Sequence, residues 1–162
     1  MKANDSLLNN LAEWRPAGAG PHSFGHTLES GWTVAVTAES ADTVGCRLTE
    51  LAASRPAPAQ TATGDDLRQW ADRITGRVTG LLEPLKLIEV DATRAEAILR
   101  SETPANRGKS VEYYEVLLRG RQSATLKRYK APRSDSGKRR AVPFALTHEA
   151  IAKLADDLTA EA

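Results

Sequence analysis

The sequence predicts an α+β fold, in which an antiparallel sheet of about six to seven strands carries its helices on one face. Most short segments of the chain alternate apolar and polar residues, which is typical of strands that bury one face. Segments near both ends and in the middle of the chain instead place apolar residues at helical spacing. Tight turns separate the alternating segments, so consecutive strands should pair antiparallel, in the order α-βββ-α-ββββ-α.

The composition is that of an ordinary globular protein. The chain has 162 residues, of which 41% are hydrophobic and 27% are charged. Aromatic residues make up only 5%, so the core must consist mainly of Leu, Val, Ile and Ala. We predict an N-terminal helix and linker over residues 1–20 and a single α+β domain over residues 21–162.

The first half of the chain predicts a helix, a three-stranded meander and a second helix. Apolar residues from Leu7 to Trp14 lie at helical spacing, and the Pro- and Gly-rich segment "RPAGAGP" ends that helix. The segments "HSFGHTLE", "WTVAVTA" and "TVGCRLTEL" then alternate with period two. "ASRPAPAQTATG" is typical of a linker. The next helix begins behind Thr63, and its apolar stripe continues to Leu82, so that Pro84 would end it.

The second half predicts four strands and a last helix. "LKLIEVDA" and "TRAEAILRSE" form a hairpin in this interpretation, although the composition of residues 93–102 also suits a helix and leaves that alternative open. "TPANRGKS" is predicted to be a loop. "VEYYEVLLRGRQSATLKRYKA" predicts a hairpin that turns at residues 120–123. A basic loop follows, and "LTHEAIAKLADDL" predicts a helix capped by Thr147.

The common motifs of catalytic and cofactor sites do not occur in the sequence, which has no GxSxG, phosphate-loop, GxGxxG, HExxH or CxxC pattern. His22 and His26 would lie about 13 Å apart on one strand. A metal ion with bonds of about 2 Å cannot bridge them. His148 follows a helix cap, a position that is as common for a surface residue as for a catalytic one. We therefore predict no cofactor, no metal site and no catalytic residue, and we leave open a triad assembled from distant residues.

Charge is distributed unevenly along the chain although the net charge is only +1. Residues 119–140, here called the basic segment, contain nine of the 22 Lys and Arg residues but only one of the 21 Asp and Glu residues. With Tyr129 nearby for stacking, this segment could lie along a phosphate backbone. We favour the simpler interpretation, in which the charges guard an edge hairpin against aggregation and pair with acids elsewhere. The basic residues are Arg119, Arg121, Lys127, Arg128, Lys130, Arg133, Lys138, Arg139 and Arg140.

Our first hypothesis is a non-catalytic interaction or adaptor domain that self-associates or binds a protein partner. It rests on the missing catalytic motifs, on the uneven charge, and on Gly76 and Gly80, which lie four residues apart and would let another backbone approach the second helix. The first alternative is nucleic-acid binding by the basic segment. The second is a small-molecule binder or enzyme with a pocket between the central helix and the sheet, using His26 or His148.

The sequence also predicts where the protein resides. Cys46 is the single cysteine, so no intrachain disulfide can form, and this favours a reducing compartment. "MKANDSLLNN" lacks the apolar run of a signal peptide, and no stretch approaches the roughly eighteen apolar residues of a membrane helix. We therefore expect a cytoplasmic protein without a membrane partner.

Overall fold

A ten-stranded antiparallel sheet and three helices make up residues 3–81, 83–134 and 137–160, which are the residues that this computed structural model describes. The predicted α+β class with an antiparallel sheet is confirmed. The elements follow one another in the order α1 (Ala3–Glu13), β1 (His22–Thr27), β2 (Thr33–Ala41), β3 (Gly45–Ser54), α2 (Gly64–Arg77), β4 (Leu85–Asp91), β5 (Glu96–Ser101), β6 (Ala105–Arg107), β7 (Ser110–Arg119), β8 (Ser123–Pro132), β9 (Arg140–Val142), β10 (Phe144–Thr147) and α3 (His148–Thr159).

Seven strands form the main path of the sheet, in the order β1-β2-β3-β8-β7-β5-β4. These are the strands that the alternating segments predict, and residues 93–102 contain a strand rather than a helix. The pairing of β3 with β8 joins the N-terminal meander to the second half of the chain. Three further strands pair at the sides of this path: β6 with β7, β9 with β8, and β10 with β3. Each of these three has only three or four residues, which is too short for an alternating pattern to be recognised. The prediction of a plain loop at "TPANRGKS" is therefore wrong.

The second helix begins as the sequence predicts and ends earlier. Thr63 is its N-cap: the Thr63 hydroxyl accepts a hydrogen bond from the Asp66 backbone N–H at 3.1 Å, and the Asp66 carboxylate accepts one from the Thr63 N–H at 2.9 Å. The helix ends at Arg77, and Val78 already has an extended backbone. Gly76 in the last turn weakens the helix because glycine loses the most backbone freedom on folding. The predicted end at Pro84 is thus wrong, and Leu82 lies outside the described residues.

The core lies between the helices and one face of the sheet. Leu7 and Leu11 of α1 are fully buried in the same core as the strands. No helix among the described residues is both long and apolar enough to cross a membrane. The largest fully buried side chains are Leu7, Leu11, Leu48, Leu51, Leu67, Ile74, Leu99, Leu118, Leu126, Ile151, Leu154 and Leu158.

Candidate ligand-binding cavity

A cavity of about 380 Å³ lies at one end of the sheet, between the N-terminal half of α2 and the end of α3. We call it the Arg–Trp cavity, because arginine and tryptophan side chains dominate its wall. Its lining residues are Trp32, Arg55, Pro58, Asp66, Gln69, Trp70, Arg73, Arg121, Thr159 and Ala160.

The register of the sheet brings this wall together from distant parts of the chain. Thr33 of β2 pairs with Ser54 of β3, and Ser54 pairs with Ser123 of β8. Trp32 and Arg55 lie one residue beyond the first of these pairs, and the Arg55 backbone N–H donates to the carbonyl of Gln122 at 3.0 Å. Side chains from the start of β2, the end of β3 and the β7–β8 turn therefore lie together at one end of the sheet.

Two indole rings form the apolar part of the wall. The ring centres of Trp32 and Trp70 are 5.9 Å apart, and the Trp70 Nε1 donates to the carbonyl of Leu158 at 3.0 Å. The guanidinium of Arg55 lies 4.6 Å from the centre of the Trp32 ring, and its Nε donates to the carbonyl of Arg121 at 2.9 Å. These contacts connect α2, α3 and the two loops that form the wall.

Two polar groups of this wall are buried without a hydrogen-bond partner. Among the described residues, three side-chain nitrogens share this property, and two of them, Trp32 Nε1 and Arg73 Nε, belong to the Arg–Trp cavity. The Trp32 side chain is only 2% exposed. A buried donor without an acceptor costs about 1–3 kcal/mol. Such groups are rare in native proteins.

Arginines outnumber carboxylates in the described part of the lining. It holds three arginines and one carboxylate, that of Asp66. Asp66 forms an ion pair with Arg121. The hydrogen bond from the Thr63 backbone N–H, followed by that from Arg121, holds the pKa of Asp66 below its ordinary value. Arg73 makes no hydrogen bond or ion pair with any residue in the described ranges. A half-buried guanidinium without a counter-charge favours an anion in the cavity.

A second cavity of about 420 Å³ lies beside the β2–β3 turn and offers less chemistry. The Asp42 carboxylate there already accepts the backbone N–H groups of Val44 and Gly45, at 2.8 and 2.9 Å. Burial raises the pKa of the Cys46 thiol to about 11, which keeps it protonated and unreactive at neutral pH. The polar groups of this cavity are therefore satisfied or inert.

The structure places the basic segment from the last residue of β7, through the turn and β8, to the first residue of β9. Several of its members are paired within the chain. Lys127, Lys130, Lys138 and Arg140 make no ion pair with the described residues. Nucleic-acid binding by the segment stays a prediction. The paired members are Arg119 with Glu96, Arg121 with Asp66, Arg128 with Glu83 and Glu112, Arg133 with Asn106, and Arg139 with Glu115.

Arg139 is held on the outer face of the sheet, which is the face without helices. It donates to both carboxylate oxygens of Glu115, at 2.7 and 3.1 Å, and its guanidinium lies 3.8 Å from the centre of the Tyr129 ring. Arg100 Nε donates to the same carboxylate at 2.8 Å. Burial alone would raise the pKa of Glu115, but the hydrogen bonds from Arg139 and Arg100 outweigh it and hold that pKa below its ordinary value. The end of the basic loop is thus anchored to the sheet.

The glycines and histidines of the sequence hypotheses lie outside the Arg–Trp cavity. Gly76 is exposed in the last turn of α2 and Gly80 lies beyond its end, so the two do not form one strip on a helix as predicted. Their role as an interface stays a prediction. His26 lies 3.1 Å from the Ser6 hydroxyl and connects β1 to α1. His148 is buried in the first turn of α3.

Sequence reasoning missed Trp32, Arg55, Trp70 and Arg73 as site residues, and it included Arg121 for another reason. A search for tryptophans flanked in space by arginines would need the sheet register, which the sequence does not state.

In the described ranges, no group of three or more His, Cys, Asp or Glu side chains is arranged to hold a metal ion. Comparison of the chain with models of protein families, with curated proteins and with solved structures found no match.

Proposed function

We propose that the chain is a non-catalytic binding domain that holds a small anionic ligand in the Arg–Trp cavity. The observation that carries this proposal is the side chain of Arg73, which lines the cavity and makes no ion pair or hydrogen bond with the described residues. A guanidinium carries five N–H donors and cannot accept a hydrogen bond. The group that would satisfy Arg73 is therefore an acceptor, and a negatively charged acceptor would also compensate its charge.

The same wall supports binding rather than catalysis. Asp66, its carboxylate, is held ionised by the Thr63 N–H and by Arg121, so it is poorly suited to exchange protons near neutral pH. The Thr159 hydroxyl already donates to the carbonyl of Ala155 at 2.7 Å. The described lining residues include no histidine, cysteine or lysine. The described part of the wall therefore offers donors and charge.

The size of the cavity suits a small organic molecule. Pockets for such ligands usually measure about 300–1,000 Å³, and this one lies near the lower end of that range. The edges of the two indoles and Pro58 provide an apolar side next to the arginines. A small acid, or the phosphate end of a mononucleotide, matches this combination of a compact oxyanion and an apolar body.

The proposal is tested by replacing Arg73. We expect the R73Q variant to bind small anions about 10- to 100-fold more weakly than the wild type, because a hydrogen bond to a charged group contributes about 1.5–3 kcal/mol. Isothermal titration calorimetry with inorganic phosphate, benzoate and a nucleoside monophosphate measures this affinity.

The matched control is R68Q. Arg68 also lies on α2, is exposed and does not line the cavity, so R68Q removes the same charge from the same helix without touching the site. We expect R68Q to bind like the wild type. The proposal is wrong if the wild type binds none of these anions at millimolar concentration, or if R68Q weakens binding as much as R73Q does.

A further inference from the structure

Asp66 connects the Arg–Trp cavity to the start of α2 through two separate contacts of one carboxylate. Its Oδ2 accepts the Thr63 backbone N–H at 2.9 Å, which closes the capping box of the helix. Its Oδ1 pairs with Nη2 of Arg121, and both residues line the cavity. One carboxylate oxygen therefore caps the helix, while the other pairs with a guanidinium that lines the proposed ligand site.

Arg121 has more donors than Asp66 uses. A guanidinium carries five N–H donors in a fixed fork that matches carboxylates and phosphates. The Arg121 side chain is 38% exposed, so it has room to turn, while its backbone is anchored because its carbonyl accepts Arg55 Nε. An oxyanion in the cavity and the carboxylate of Asp66 would compete for the same end of this side chain.

We infer that an anion bound in the Arg–Trp cavity takes over the Arg121 contact that Asp66 makes, and that Asp66 thereby sets the affinity of the site. This inference rests on the proposed function. The ligand class is a carboxylate or a phosphate oxyanion, since Asp66 itself already demonstrates the fit of a carboxylate to Arg121. Asp66 keeps its bond to the Thr63 N–H during the exchange, so α2 remains capped and the exchange involves one side chain only.

The inference is tested by the D66N variant, which should bind more tightly than the wild type. Asparagine keeps an oxygen that can accept the Thr63 N–H, but it lacks the charge that competes for Arg121. We expect inorganic phosphate or benzoate to bind roughly 3- to 10-fold more tightly to D66N, as the loss of one nearby like charge would give at a partly exposed site. Comparing the two probes distinguishes a phosphate site from a carboxylate site.

The matched control for this variant is D65N. Asp65 precedes Asp66 in the first turn of α2, is exposed and does not line the cavity, so D65N changes the net charge equally. We expect D65N to change the affinity by less than about twofold, because exposed charges are screened. An equal gain in D65N and D66N would overturn the inference, since it would show a general charge effect.

A double-mutant cycle with R121Q completes the test. We expect R121Q to weaken binding and to abolish the effect of D66N, because the two side chains act through one contact. R121Q also tests the inference if D66N fails to fold, because an unchanged affinity in R121Q would by itself overturn the inference.

Failure of the wild type to bind, or of R73Q to weaken binding, refutes the proposed function. Binding that depends on Arg73 but is not tightened by D66N refutes only the exchange.

Discussion

Glu115 is a carboxylate that is only 6% exposed although it lies on the outer face of the sheet. Its neighbours Tyr114 and Val116 on β7 belong to the core, and consecutive strand residues point to opposite faces. Arg139 and Arg100 cover it from above, and each carries a further contact to an aromatic ring, Tyr129 and Tyr113 respectively. Glu115 is therefore buried by two arginines, Arg100 of β5 and Arg139 of the loop that returns over the sheet after β8.

We expect the E115Q variant to be about 2 kcal/mol less stable than the wild type at neutral pH, because breaking a charge-assisted pair leaves two guanidinium groups without their anion. The folded pKa of Glu115 is lowered, so its stabilisation is fully present above the ordinary value of about 4.5 and disappears as the pH falls through the folded pKa. The free energies of unfolding of E115Q and the wild type should therefore converge in acid. Urea denaturation at neutral and acidic pH measures this.

The control for E115Q is E50Q. Glu50 lies in β3, is half-buried, and lines with Glu115 a small pocket of about 160 Å³ on the outer face of the sheet; it makes no ion pair with the described residues. Removing its charge should leave the free energy of unfolding nearly unchanged at both pH values. If the free energies of unfolding of the wild type and E115Q differ equally at neutral and acidic pH, this stability does not come from an ionised Glu115.

The early end of α2 leaves an exposed glycine in a helical turn. A Cβ at Gly76 would meet no atom within 4 Å, and its backbone does not require glycine. We expect G76A to stabilise the protein by about 0.5–1 kcal/mol, since alanine is the better helix former. Thermal or urea denaturation measures the change.

Gly120, in the β7–β8 turn, gives the opposite control. Its φ is +52°, and a Cβ there would lie against Gln122, so G120A should destabilise the protein. If G76A destabilises the protein, the prediction that alanine strengthens the last turn of α2 is wrong.

Light scattering on G76A tests the predicted interface, because a partner packed against Gly76 would be displaced by the added methyl group.

The cations of the basic segment do not share one surface of the molecule. Arg128 and Tyr129 are consecutive on β8: Arg128 lies over the core residue Tyr114, while Tyr129 supports Arg139 on the other face. Arg121 lies at the cavity end of the hairpin, and Lys138 follows its other end. A nucleic acid would therefore meet mainly the unpaired cations after β8 rather than all nine basic residues.

We expect any binding of mixed-sequence RNA or DNA at low salt to depend on Lys138 and Arg140, which make no ion pair with the described residues. The double alanine variant should lose most of the binding, and the salt slope should fall by about 0.9 per lost phosphate contact. Fluorescence anisotropy measures both. Arg119→Ala is the control, since Arg119 already pairs with Glu96 at 2.9 Å. Absent or salt-independent binding would contradict the nucleic-acid hypothesis.

The main elements could be predicted because each repeats a pattern over many residues. Alternating burial along β2 and β5 follows the alternating sequence, and Thr63 and Thr147 cap α2 and α3 as predicted. The end of α2 could not be predicted, because Val78 and Leu81 continue the apolar stripe and are buried although the helix has already ended. Apolar spacing records which residues are buried, and an extended segment can bury them equally well.

The Arg–Trp cavity could not be predicted because its parts are joined by pairing rather than by spacing. Trp32, Arg55 and Arg121 lie at neighbouring strand ends, and Arg73 of α2 lines the same cavity. In the sequence they appear as a strand residue, a linker residue and members of ordinary charged stretches. The absence of an acceptor near Trp32 Nε1 is likewise a property of the assembled wall.

The pairing of β3 with β8 also bears on the order in which the protein folds. Leu51 pairs with Leu126, so this contact closes a long loop, and pairings between distant residues are the slow steps of folding. Trp32 and Arg55 lie on one side of that pairing and Arg121 on the other, so the Arg–Trp cavity exists only after it has formed. A ligand of this cavity would therefore bind the completed fold alone, and would protect the chain against proteolysis in proportion to its occupancy.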